Sequence, residues 1–191
     1  MPYDDRRMAG LILFVGVFQF TIGLMVAAAV DPEYSIHRNY ISDLGVRAGA
    51  QIFNVSIIYL GISLAYAAYY IDRSLASRRF SLLLLVPAIG AIGVGVFPEH
   101  VPVLHLLFAF VAFSGAGFTA IATSRLTAPP LSYLCVFVGI LALVALALFA
   151  SGMYFVLGVG GMERMIVIPV IAWGLAFAGY LLAPAPITPA A

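Results

Sequence analysis

The chain is a series of long uncharged runs separated by short polar breaks. The runs cover residues 8–30, 48–71, 80–98, 101–124, 126–162 and 165–191. A bilayer core about 30 Å thick takes about 20 helical residues at 1.5 Å rise, so each run is long enough, or nearly so, to cross it once. The fifth run is long enough to raise the question of two crossings. Pro129-Pro130 opens it and glycines at 158, 160 and 161 close it, leaving about 26 helical residues, too few for two. The pattern predicts an all-α integral membrane protein, a six-transmembrane-helix bundle with spans near 8–30, 50–71, 80–97, 102–124, 131–156 and 163–183. The third span is short and holds Pro87 and several glycines, which suits a kinked or internal helix.

Composition agrees with lipid as the solvent. Hydrophobic residues make up 64% of the 191 and charged residues only 9%, and the mean hydropathy is +1.12. A soluble domain carries roughly a quarter of its residues charged. Bundled spans share one interior, so residues 1–191 form a single six-helix domain. The first run has 23 residues, longer than the roughly 7–15 of a signal-peptide core, and reads as an uncleaved span. The single cysteine, Cys135, has no partner for a disulfide and reads as a small hydrophobe. A net charge of +1 gives no basic patch for nucleic acid.

Charge also orients the chain. Arg6, Arg7, Arg73, Arg78, Arg79 and Arg125 fall on the side of the termini, against Arg38, Arg47 and Arg164 on the other. The positive-inside rule then predicts both termini in the cytoplasm of a cell-membrane protein. Whichever way the protein points, alternation unites His37, His100 and His105 with Asp31, Glu33, Asp43, Glu99 and Glu163 on one face. Acids with imidazoles suit a metal or a cationic group better than an isolated phosphate.

The first loop, 31–45, is the longest polar stretch. It reads as a solvated loop with Ser42 or Asp43 as a cap, but Tyr40, Ile41 and Leu44 favour folding back onto the bundle. Asn54, a turn into the second span, favours a hydrogen bond between helices at the same mouth. Pro102 suits the first turn of the fourth span, placing Glu99 or His100 near its start and His105 about one turn in. His105 should face the interior, either bonded to a loop carbonyl or ligating a metal, while His100 reads as interfacial. Glu163 is expected in the first turn of the sixth span, as a cap for its dipole. Arg164 is expected to pair with Asp43, Glu99 or an anionic head group. Tyr154 and Trp173 read as interfacial aromatics. No ionisable group sits mid-span, where Gln19 and Thr21 are the most central polar side chains, which disfavours an ion-coupled transporter.

Four motifs in order then resemble a known family: Asn39-Tyr-Ile-Ser-Asp43-Leu-Gly45, Phe53-Asn54-Val-Ser56 with Gly61, Phe97-Pro98-Glu99 with His105, and Gly161-Met-Glu163-Arg164 with Trp173. They resemble the multi-pass membrane family catalogued as domain of unknown function 998, across nearly the whole chain. The Ile-Ser-Asp-x-Gly loop with a later span-opening histidine is also distantly similar to the Frag1/DRAM/Sfk1 family. That likeness implies a lipid-facing outer site including Ser42, Asp43 and His105. A fainter likeness is to alkaline-ceramidase-like metal hydrolases, from which the chain departs in having six spans rather than seven and no terminal His-x-x-x-His pair.

Three functions are in play. In the leading one, a membrane lipid is bound or organised through its head group by Asn39, Asp43, Asn54, His105, Glu163 and Arg164. The alternative is a metal-dependent lipid hydrolase, with Asp43, Ser42, Glu99 and His105 as catalytic candidates and a divalent ion on Asp43, His100 or His105. A small-molecule transporter is third.

Overall fold

The computed structural model describes residues 4–184 and, among them, six helices and no strand. They are α1 (Asp5–Ala29), α2 (Ala50–Leu75), α3 (Arg78–Val96), α4 (Pro102–Thr123), α5 (Leu131–Ala150) and α6 (Gly158–Leu182). All six are long and apolar enough to cross a membrane, and the chain is an integral membrane protein. The expected domain limits 1–191 include residues 1–3 and 185–191, which lie outside the described residues.

Each helix packs against the next, and α6 returns to α1. Because α4 also touches α6, α5 sits outside the seam between them. A ring of this kind encloses space that side chains must fill. Leu13, Leu84, Phe177 and Leu181 fill it at the end that holds the chain termini. There Arg6 ties α1 to the end of α6 through Ala183 O (2.6 Å) and Tyr180 O (2.5 Å). Arg73 pairs with Asp5 at 2.8 Å, and Arg78 with Asp72 at 3.1 Å.

Inside the apolar layer, polar groups are used up locally. Gln19, the most central amide, donates to Gly16 O and Ser56 O, both at 2.9 Å, and so clips α1 to α2. The shortest helix, α3, is the most buried. Pro87 has no N–H to give to Leu83 O, and Thr119 of α4 donates to that carbonyl instead at 3.3 Å. Trp173 is not interfacial as expected. It lies inside the bundle at 4% exposure, because Thr123 Oγ1 accepts its indole N–H at 3.0 Å in an otherwise apolar setting.

Two boundaries differ from the expected spans. The fifth helix ends at Ala150 rather than near 156, and the sixth begins at Gly158 rather than 163. The glycines at 158–161 were expected to break the chain but form the first turn of α6. Gly158 has φ +69°, and a side chain on Gly160 would collide with the carbonyls of Ile36 and Asn39. Bare backbone is what lets the first loop lie against this helix start.

The α3–α4 contact gives a test. A methyl group on Gly90 would strike the backbone of Ala112, whereas Gly179 on the lipid-facing side of α6 has nothing within 4 Å. In detergent, Gly90→Ala should lower the melting temperature, at a cost of about 1–3 kcal/mol. Gly179→Ala should leave it unchanged or raise it, by up to about 1 kcal/mol of helix propensity.

Candidate functional site

The first loop does fold back over the end of the bundle opposite the termini, and it meets the third and fifth connections there. Arg47 grips Asp31 through Nε at 2.5 Å and Nη2 at 3.3 Å, which holds the Asp31 carboxyl below its usual range. That acid is therefore spent on structure. Beyond it the loop makes a 3-10 turn over Ser42–Gly45. Asp43 Oδ2 secures this turn by accepting from Tyr40 N at 3.0 Å and from Asn39 Nδ2 at 2.9 Å. Asn39 Oδ1 in turn accepts from Ser35 N at 2.9 Å.

Glu163 is one and a half turns into α6 rather than in its first turn, so it does not cap the helix as expected. A first-turn N–H, that of Gly160, goes to His37 O at 3.4 Å instead. Glu163 is 3% exposed, and one of its oxygens accepts the backbone N–H of Ile41. The contact fixes the loop to α6 from inside.

Ser42 Oγ donates to Glu99 Oε1 at 2.5 Å, joining the first loop to the connection between α3 and α4. Half-burial and the neighbouring Asp43 carboxyl push Glu99 up to about 7, against the Ser42 hydrogen bond, which favours the ionised form. His105 Nδ1 lies 2.9 Å from Phe97 O, the loop-carbonyl partner expected for a structural imidazole.

Ser42, His105 and Glu163 stand at the top of a cavity of about 110 Å³, which they line together with apolar groups of α1, α2, α3, α4 and α6, and Glu99 reaches it through Ser42. Its walls are helical stripes: Phe53, Ile57, Leu60 and Leu64 on α2, and Val167, Val170 and Gly174 below Glu163. On α4, His105 stands above Ala109, Ala112 and Ala116. Eleven residues separate Glu163 from Gly174, so the chamber is roughly 16 Å deep at 1.5 Å per residue, about half the hydrocarbon thickness. Trp173 lines it low on α6, and α5 contributes nothing to it.

The expected site residues thus divide. Ser42, Glu99, His105 and Glu163 come together, with Asp43 behind them. Asn39 is committed to the loop's own hydrogen bonds. Asn54 donates to Gly45 O at 2.9 Å, and neither it nor Asn39 lines the chamber. Arg164 pairs with neither Asp43 nor Glu99. It donates to Gly160 O (2.8 Å), Ile36 O (3.3 Å) and Tyr34 Oη (2.5 Å), because the loop presents carbonyls to it there. The metal set does not fit either. His100 is exposed, and among the described residues no three His, Cys, Asp or Glu are placed to hold an ion. Sequence reasoning missed the chamber itself. Its one legible signal was the alanines recurring at 109, 112 and 116 beneath His105, which read equally well as close helix packing.

The raised Glu99 carboxyl predicts a pH dependence. Between pH 4.5 and about 7 the folded protein keeps a proton on Glu99 that the unfolded chain releases. Stability therefore falls as pH rises through that window. Thermal unfolding in detergent from pH 4.5 to 8 should show this decline. Glu99→Gln keeps the acceptor for Ser42 and mimics the protonated acid, so it should flatten the decline and melt higher than wild type at pH 8.

No curated protein and no solved structure matches the chain, and the likenesses to the Frag1/DRAM/Sfk1 family and to alkaline-ceramidase-like hydrolases gain no support from those comparisons. The profile of the family described as "Protein of unknown function (DUF998)" matches residues 14–180, which take in α2 to α5 and most of α1 and α6. With the match extending over most of its length, the chain belongs to the DUF998 family.

Proposed function

We propose that the protein binds a membrane lipid, taking one hydrocarbon chain into the chamber and holding the head group at the rim of Ser42, Glu99, His105 and Glu163. The observation that carries this reading is the pairing of an apolar shaft with a polar rim at one end of it. Below its polar rim the chamber of about 110 Å³ is lined by apolar side chains, which offer water no hydrogen-bond partners. Left empty it costs on the order of 2 kcal/mol in lost contacts, which a hydrocarbon chain restores. The depth, about half the bilayer, suits a chain that enters from one leaflet. The arginine distribution supports a cell-membrane location with the rim outward.

The test is the lipid content of protein purified in a neutral, non-lipid detergent. A bound species enriched well above its share of the host membrane is expected. Bulk lipids in bulk proportions would refute the reading. Ala116→Leu, which fills the lower shaft, should reduce the retained lipid several-fold without loss of the folded state, as read by mass spectrometry beside a thermal melt.

A further inference from the structure

We infer that the rim selects a cationic head, a primary ammonium on a single long hydrocarbon chain. The inference rests on the lipid-binding reading above and adds the class of head group. It comes from the inventory of donors and acceptors around the top of the chamber.

A carbonyl oxygen only accepts, so the His105 hydrogen facing Phe97 O sits on Nδ1. In the neutral imidazole this leaves Nε2 as a lone-pair acceptor on a ring that is 8% exposed and lines the chamber. Glu163, more than nine-tenths buried, uses one oxygen on Ile41 N–H, and no donor among the described residues reaches the other. Ser42, the one hydroxyl in the chamber wall, gives its hydrogen to Glu99. The backbone, imidazole and hydroxyl donors at the rim are therefore spent; the carboxyls of Glu99 and Glu163 accept once ionised, and the proton that Glu99 holds up to about pH 7 is the one donor left.

Charge points the same way. Among the described residues, no arginine or histidine forms a salt bridge with Asp43, Glu99 or Glu163. The nearest guanidinium in sequence, Arg164, is turned onto two carbonyls and a phenol. Acids held away from water without a cation keep their protons, as Glu99 does up to about pH 7, and a cation arriving with the ligand lets them ionise beside it. An ammonium brings three N–H donors and a positive charge, whereas an alcohol brings one donor and no charge. A phosphate or carboxylate head brings neither and would meet charge of its own sign. The hydrocarbon shaft directly beneath explains why the amine would arrive on a chain.

The experiment is a thermal-shift titration of the full chain in neutral detergent micelles with four probes: dodecylamine, dodecanol, dodecanoate and propylamine. Saturable stabilisation by dodecylamine is expected, with little or none from the other three. Glu163→Gln retains an oxygen for Ile41 N–H, and it should weaken the dodecylamine response about tenfold. Glu99→Gln should weaken it as well, and at a site whose loss does not touch the loop-to-α6 contact. Equal stabilisation by dodecanol or dodecanoate would overturn the cationic head while leaving a lipid chamber. A propylamine response as strong as that of dodecylamine would overturn the chain. No response to any twelve-carbon probe, together with no enriched co-purifying lipid, would remove both readings.

Discussion

Backbone that is not helical carries unpaired N–H and C=O groups, and where a membrane protein shuts water out these must be satisfied by the protein itself. The first loop is where this chain meets that demand. The loop lies over the end of a bundle whose side chains are almost all hydrocarbon, and nearly every polar residue near it is spent on its backbone. Glu163 takes Ile41 N–H, Asp43 takes Tyr40 N–H, Asn39 takes Ser35 N–H, Asn54 serves Gly45 O, and Arg164 serves Ile36 O. Gly160 N–H closes the set on His37 O. The conspicuous polar motifs of the sequence are in large part the scaffold of one loop.

That accounting leaves a small remainder: Asn54 Oδ1, buried beside the loop without a partner, and the groups of the candidate site. His105 Nε2, one oxygen of Glu163 and the Ser42–Glu99 pair are left at the top of the chamber. The chamber exists because five helices surround it while α5 stays outside, and because α4 faces it with alanine where leucine would have closed it. Trp173, held by Thr123, and the aromatic and aliphatic groups nearer the termini fill the other half of the bundle. One half is packed and the other is open.

How far the sequence could be read follows from the range of each interaction. The six helices were legible because run length against bilayer thickness is a local property. The gathering of acids and histidines at one end was legible because alternation of crossings requires it. Partner choice was not. Glu163 and Arg164 look like a helix cap and a partner for Asp43, Glu99 or an anionic head group only if α6 starts where the glycines end. Those glycines instead belong to the helix, because a loop more than a hundred positions earlier presses its carbonyls on them. Trp173 likewise carries a membrane-interface signature in its residue type and gets its buried position from Thr123, fifty residues away.

The Glu163–Ile41 contact spans 122 positions of sequence. A chain threaded into the bilayer from its N-terminus presents the first loop long before the helix that satisfies it. Until α6 inserts, Ile41 N–H has no Glu163 to bond and the wall of the chamber is missing one of its sides. Both ends of the bundle therefore wait for α6, which also brings the carbonyls that Arg6 holds at the opposite end, and a nascent chain stalled after five crossings would have a membrane anchor but no closed chamber.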